Sequence, residues 1–212
     1  MSHRPKPLVS SRCAWALLAV LSFGCASDLI VRAPEVLPPV DPAALGELAP
    51  IQISVGAVAN VPDMTTPVGA RGAAPLQPGG PIHLTEDAGT ILRRALVETL
   101  QHAGHRVVAQ GAAAHVALRV EEFTVDAPRE GIGWEVTVRL RLVLRVSTRP
   151  GDEAWDEISV SAERTLHTAW RPDVGTVEPV LRECLQDLGT LLARRQELSA
   201  ALARHSARRP AA

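Results

Sequence analysis

The sequence contains no tyrosine, and aromatic residues make up only 3% of its 212 positions. Binding nucleic acid by base stacking needs aromatic faces, so the composition argues against that class. Lysine is nearly absent: Lys6 is the only one. Together with Arg4 and Arg12 it belongs to the first 24 residues, which hold no acid. Taking these three from the 22 basic residues leaves 19 against 23 acidic ones, a net charge of −4. A weakly acidic body is a poor general binder of nucleic acid. Cysteine is scarce too, at Cys13, Cys25 and Cys184, with no CxxC or Cys/His spacing, so neither a zinc site nor a disulfide framework is expected. Outside the N-terminal segment no apolar run approaches the 18 residues of a membrane-spanning helix.

Recognisable catalytic arrangements are missing as well. The stretches 69–72 and 78–81 are glycine-rich, but the Gly-Lys-Ser/Thr ending of a phosphate-binding loop does not follow. Ser159, Ser161 and His167 share a strand face without a Gly-x-Ser-x-Gly turn to expose a nucleophile. Glu121 and Glu122 point to opposite faces of a regular strand, so only a bulge would bring them together as an acid/base pair. His102, His105 and His115 have no acidic or cysteine partner at ligand spacing and read as surface or cap residues. No catalytic residue, metal, cofactor or small-molecule substrate is therefore expected.

What is present is a strong strand. From Trp134 to Val146 every even position is apolar, and the odd positions are polar or charged apart from Val143. A period of two means one buried and one wet face, and a one-residue slip would put arginines inside. The next strand carries Ile158, Val160, Ala162 and Leu166 inward. Pairing the two with residue numbers summing to 302 sets Arg145 opposite Glu157 and Arg139 opposite Glu163, and leaves 150–152 as a three-residue loop. Arg139, Arg141 and Arg145 are candidate contacts for a polyanion or a partner. The competing and favoured reading is cross-strand pairing with glutamates. Trp155 and Trp170 flank the last strand as candidate contact residues.

At the N-terminus a basic segment through Arg12 precedes 15 uncharged residues, 13–27, the length and flanks of a signal-peptide core. Residues 26–50, with five prolines, read as an extended tether. Strand 51–61 follows, and the breaker-rich stretch 62–82 reads as a loop. A helix is predicted from a Thr85 cap to Gly104, then a short edge strand at 106–109. A strand from Val116 shifts phase near Glu121, the mark of a bulge. A last helix opens near Thr176, with Pro179 in its first turn and Cys184 on its apolar stripe. The predicted organisation is a signal at 1–24, a lipidated cysteine and tether at 25–50, one domain at 51–203 and a solvated tail at 204–212. The domain is expected to be α+β, a two-layer sandwich of a mainly antiparallel sheet with two helices on one face, in the order β-α-β-β-β-β-α.

Leu21, Ser22, Phe23, Gly24 and Cys25 resemble the bacterial lipobox, with Ser22 where the aliphatic residue is usual. The resemblance implies cleavage before Cys25 and acylation of that residue. An ordinary secretory signal cut after Ala26 is the alternative. Ala26 and Ser27 follow the cysteine instead of aspartate, which implies the periplasmic face of the outer membrane. Val61-Pro-Asp63, then Val68-Gly-Ala-Arg71, then a helix ending Leu100-x-x-x-Gly104-x-x-Val107 resemble the YajG-type lipoproteins. The same element order resembles the LptE-type lipopolysaccharide-assembly lipoprotein, whose strand-to-helix connection is shorter. The anchor, the tether and the missing catalytic arrangements point to a non-enzymatic accessory or binding module held to the membrane through Cys25, with an envelope protein as its partner. The basic wet face of the strand 134–146, together with the LptE-type likeness, points to the alternative, a role in lipopolysaccharide or lipid transport.

Overall fold

The structure is a computed structural model that describes residues 27–37, 39–72 and 80–208. The predicted signal segment, Cys13 and Cys25 lie outside the described residues. The described elements are β1 (Leu29–Val31), α1 (Ala43–Gly46), β2 (Gln52–Ala59), β3 (Gly69–Gly72), β4 (Gly80–Leu84), α2 (Ala88–His102), β5 (Arg106–Val107), β6 (Ala114–Glu130), β7 (Gly133–Ser147), β8 (Trp155–Thr168), α3 (Val174–Arg194) and α4 (Gln196–Ala207).

The sheet is mixed and has eight strands. Its frame is the antiparallel run β6-β7-β8, of 17, 15 and 14 residues. One edge of β6 pairs with β7; the other is divided, taking β2 in parallel near its start and β3 in parallel near its end. β5 extends β2, and β4 and β1 extend β3. The apolar face of this sheet and helices α2 and α3 share one core, in which Leu140, Leu142, Leu144, Leu92, Leu96 and Leu181 are buried. The two-layer α+β architecture is thus as expected, with more strands and helices than the sequence announces.

The β7/β8 ladder has the expected register throughout, from Trp134 opposite Thr168 to Ser147 opposite Trp155. The connection is longer than the expected three residues. The ladder stops at Ser147 because the Asp152 carboxylate accepts from the Arg149 N–H at 2.8 Å and the Ser147 hydroxyl donates to the Arg149 carbonyl, so side chains take over the backbone groups there. The β6/β7 register shifts between Val120 and Glu122, the expected bulge.

Several expectations are corrected. Residues 27–50 are not an extended tether: Val31 and Leu45 are fully buried, β1 pairs with β4, and the backbone is fastened to both long helices. The Glu178 carboxylate accepts from the Arg32 N–H at 2.9 Å and Glu98 from the Leu37 N–H at 2.8 Å, while Arg94 donates to the Pro34 carbonyl. The 62–82 stretch contains β3 and the start of β4. Asp87, not Thr85, caps α2, and Asp173 caps α3, in each case accepting from the backbone N–H three residues on. α3 therefore starts earlier than expected, and Pro179 sits in its second turn, where one backbone bond is missing. Residues 204–207, expected in the tail, complete α4 and bury His205.

Candidate functional site

The molecule's two candidate contact regions are the end of the sheet where the described chain begins and the outer face of β6-β7-β8.

At the first, Val68 and Gly69 bring β3 against β6: the Val68 carbonyl accepts from the Val125 N–H at 3.0 Å. A Cβ on Gly69 would stand 2.0 Å from the Val125 carbonyl oxygen, so the approach requires glycine. Arg71, two residues on, is 6% exposed. Its Nη1 donates to the Pro172 carbonyl at 2.8 Å, and its Nη2 donates to the Ser27 carbonyl at 2.9 Å and hydroxyl at 3.1 Å. One guanidinium thus joins the first described residue to the segment leading into α3. Burial, and then the charge of Arg171, pull the Arg71 guanidinium below its ordinary value, while Asp173 acts the other way. Its Nε is buried without a partner among the described residues. Sequence reasoning placed Arg71 in a family-like stretch but missed this role. The available signal was a lone arginine inside a run otherwise made of Gly, Ala and Pro.

At the second, the structure places Arg139, Arg141 and Arg145 on one face, each beside a glutamate. Arg139 lies 3.4 Å from Glu163, Arg141 3.6 Å from Glu122 and Arg145 3.1 Å from Glu157. The Arg145 guanidinium also lies over the Trp155 ring, 4.9 Å from its centroid. Arg119 pairs with Glu121. The bulge therefore delivers Glu121 and Glu122 to the same wet face, where arginines engage them separately. Such exposed pairs are worth about 0–1 kcal/mol each. Their main effect is to make this face a mosaic of both signs instead of a basic strip.

The remaining candidates do not assemble. His115 shares a hydrogen bond of 2.9 Å with Ser54. His105 is buried, and burial lowers its affinity for a proton, with the Leu45 carbonyl acting in the opposite direction. His167 lies 3.6 Å from Glu135 on an exposed strand end. Cys184 is fully buried, its thiol 3.6 Å from the Val138 carbonyl, and burial pushes its pKa up to about 12. It is a core thiol and not a nucleophile. No group of three metal-ligating side chains occurs among the described residues, and no described helix is long and apolar enough to cross a membrane.

Comparison with known proteins gives three findings. A family model described as an uncharacterized lipoprotein matches residues 77–203. Among solved structures, protein XCC0632 from Xanthomonas campestris is similar with a TM-score of 0.54 at 12% identity, over 84% of this chain and 98% of that one. A minor lipoprotein from Acinetobacter baumannii follows with a TM-score of 0.43 at 17% identity, over 70% and 92%. At these identities the likeness concerns the fold alone. No curated protein matches significantly.

Proposed function

The chain belongs to the YajG-type family of uncharacterized lipoproteins, and on that premise we propose that it is a lipid-anchored module on the periplasmic face of the outer membrane, binding an envelope partner without catalysing a reaction. In this reading residues 1–24 are a signal peptide, and Cys25 becomes the acylated first residue. The observation that carries it is the position of Gly24-Cys25, two residues ahead of Ser27, whose backbone Arg71 fastens to the body. A single myristoyl-length chain gives only marginal, reversible binding, whereas the two or three chains of a bacterial lipoprotein hold firmly. The absence of aspartate after Cys25 supports the outer membrane.

The partner surface we assign is the outer face of β6-β7-β8, with Arg139, Arg141 and Arg145 as members. Its alternating charges suit a protein surface of complementary pattern. A lipopolysaccharide-handling role would favour uncompensated cations, and these three arginines each stand beside a carboxylate.

The test is fractionation and intact mass of wild type and Cys25→Ser. Wild type is expected in the membrane fraction, starting at Cys25 and carrying acyl chains; the variant should keep its fold and lose them. A soluble wild-type protein beginning at Ser27 sinks the anchor. Co-purification from detergent-solubilised envelopes tests the rest: a β-barrel partner recovered with lipopolysaccharide would replace the binding-module reading with a transport role.

A further inference from the structure

One end of the sheet collects the chain entry, two exposed apolar side chains and two unpaired arginines. β6 ends there at Glu130, opposite Gly133 at the start of β7, and β8 ends there at Thr168, opposite Trp134. β3 runs parallel to β6 and ends beside Pro128. β4 runs back from that end, and β1, parallel to β4, starts from it. Ser27 therefore lies at this end, and Arg71 joins it to Pro172. Ile132, in the β6/β7 turn, is 98% exposed, and Trp170, two residues before Pro172, is 83% exposed. These are the two most exposed large apolar side chains of the described residues. Arg129 and Arg171 are exposed and make no ion pair among those residues.

Resting on the anchor proposed above, we infer that this end of the domain docks on the phospholipid surface, with Trp170 and Ile132 in the interfacial layer. The length of free chain selects this occupant. Only Ala26 stands between Cys25 and Ser27, so covalent geometry holds their Cα atoms within roughly 7 Å. An acylated Cys25 stands at the headgroup level, and with no tether the sheet end stands there too. Tryptophan, an amphipathic ring, is the side chain most suited to that layer, and an isolated exposed isoleucine gains by entering its apolar edge. Asp28, Glu130 and Asp173 roughly balance the arginines, so the contact depends on these apolar residues and on the local concentration that the anchor creates. Salt should change it little.

Tryptophan fluorescence tests this within one molecule. Trp155 opens β8, and Trp170 lies just beyond its end, so the two are separated by a strand of roughly 40 Å. The membrane-purified full-length product is reconstituted into vesicles of phosphatidylethanolamine and phosphatidylglycerol with brominated acyl chains, as wild type and as a Trp134→Phe parent, which silences the other tryptophan of this end, alone and with Trp155→Phe or Trp170→Phe added, each with its intact mass recorded. Quenching and a blue-shifted emission are expected in wild type, in the parent and with Trp155→Phe added, and loss of most of the quenching with Trp170→Phe added. Acylated protein with no quenching, or with quenching lost on replacing Trp155 instead, overturns the docking while leaving the anchor standing. That result would leave this end for a protein partner. A wild-type mass without acyl chains overturns anchor and docking together.

Discussion

His105 is the residue whose environment most clearly opposes its chemistry. It is 3% exposed, and among the described residues neither ring nitrogen makes a well-formed hydrogen bond, the nearby Leu45 carbonyl only partly offsetting the cost of burial. Burial lowers its pKa, and His115 is lowered for the same reason. In the unfolded chain both return to about 6.5. As the pH falls past that value the unfolded state takes up protons first, so stability is full above about 6.5 and declines as the pH drops towards the depressed folded values. Replacing a buried polar group that has no partner by an apolar one of similar size is close to neutral or stabilising. His105→Leu is accordingly expected to keep or raise the melting temperature at pH 7 and to flatten part of the decline below pH 6.5, His115 retaining the rest. Thermal denaturation followed from pH 7.5 to 5 decides it. A fall of several degrees at pH 7 would mean that the imidazole makes a contact essential to the fold.

Among the secondary-structure elements, those that could be read from sequence carry their own periodicity. β7 alternates from Trp134 to Val146 with Val143 as the exception, and once its inward face is known, charge matching fixes β8 in register, so the Arg139, Arg141 and Arg145 neighbourhoods follow from local pattern. The bulge at Glu121 was legible as a phase shift. β1, β3 and β4 have no such signature. Three to five residues are too few for a period, and glycines and prolines, which normally mark loops, here sit in short strands outside the long antiparallel frame. The Arg71 junction was illegible for another reason: it joins residues 44 and 101 positions away in the chain. Gly69 is the point on which that junction turns. Gly69→Ala would drive a methyl group into the Val125 carbonyl, and because the opposing atom is backbone, β3 must move away from β6. A loss of about 2–4 kcal/mol is expected, in the range of severe backbone clashes. Urea unfolding of the two proteins measures it, and a difference under about 0.5 kcal/mol would show that β3 is not held as described.

The whole molecule is a body whose described N-terminal segment is structural, which changes what the anchor proposed at Cys25 would do. A flexible tether would let an envelope lipoprotein sample many orientations. Here Leu29, Val31, Ala33, Leu37 and Leu45 are buried, and the intervening backbone is bonded to α2 and α3. Each fully buried Leu or Val contributes roughly 1.5–3 kcal/mol. Four such side chains therefore supply an amount comparable with the roughly 5–15 kcal/mol that keeps a domain folded. A chain beginning at residue 51, where the sequence alone would place the domain boundary, should be severely destabilised or unable to fold, whereas one beginning at Ser27 should retain the full melting temperature. Ser27 still supplies its carbonyl to Arg71 in the longer form, and Val31 still covers the core. Expressing both without the signal segment and comparing circular dichroism and thermal melts separates the cases. Equal stability would restore a free tether, and with it a domain that can leave the bilayer surface. Loss of the fold in the shorter chain alone would mean that the segment next to the proposed acylation site is built into the body, so that a lipid anchor at Cys25 would also set which end of the sheet faces the membrane.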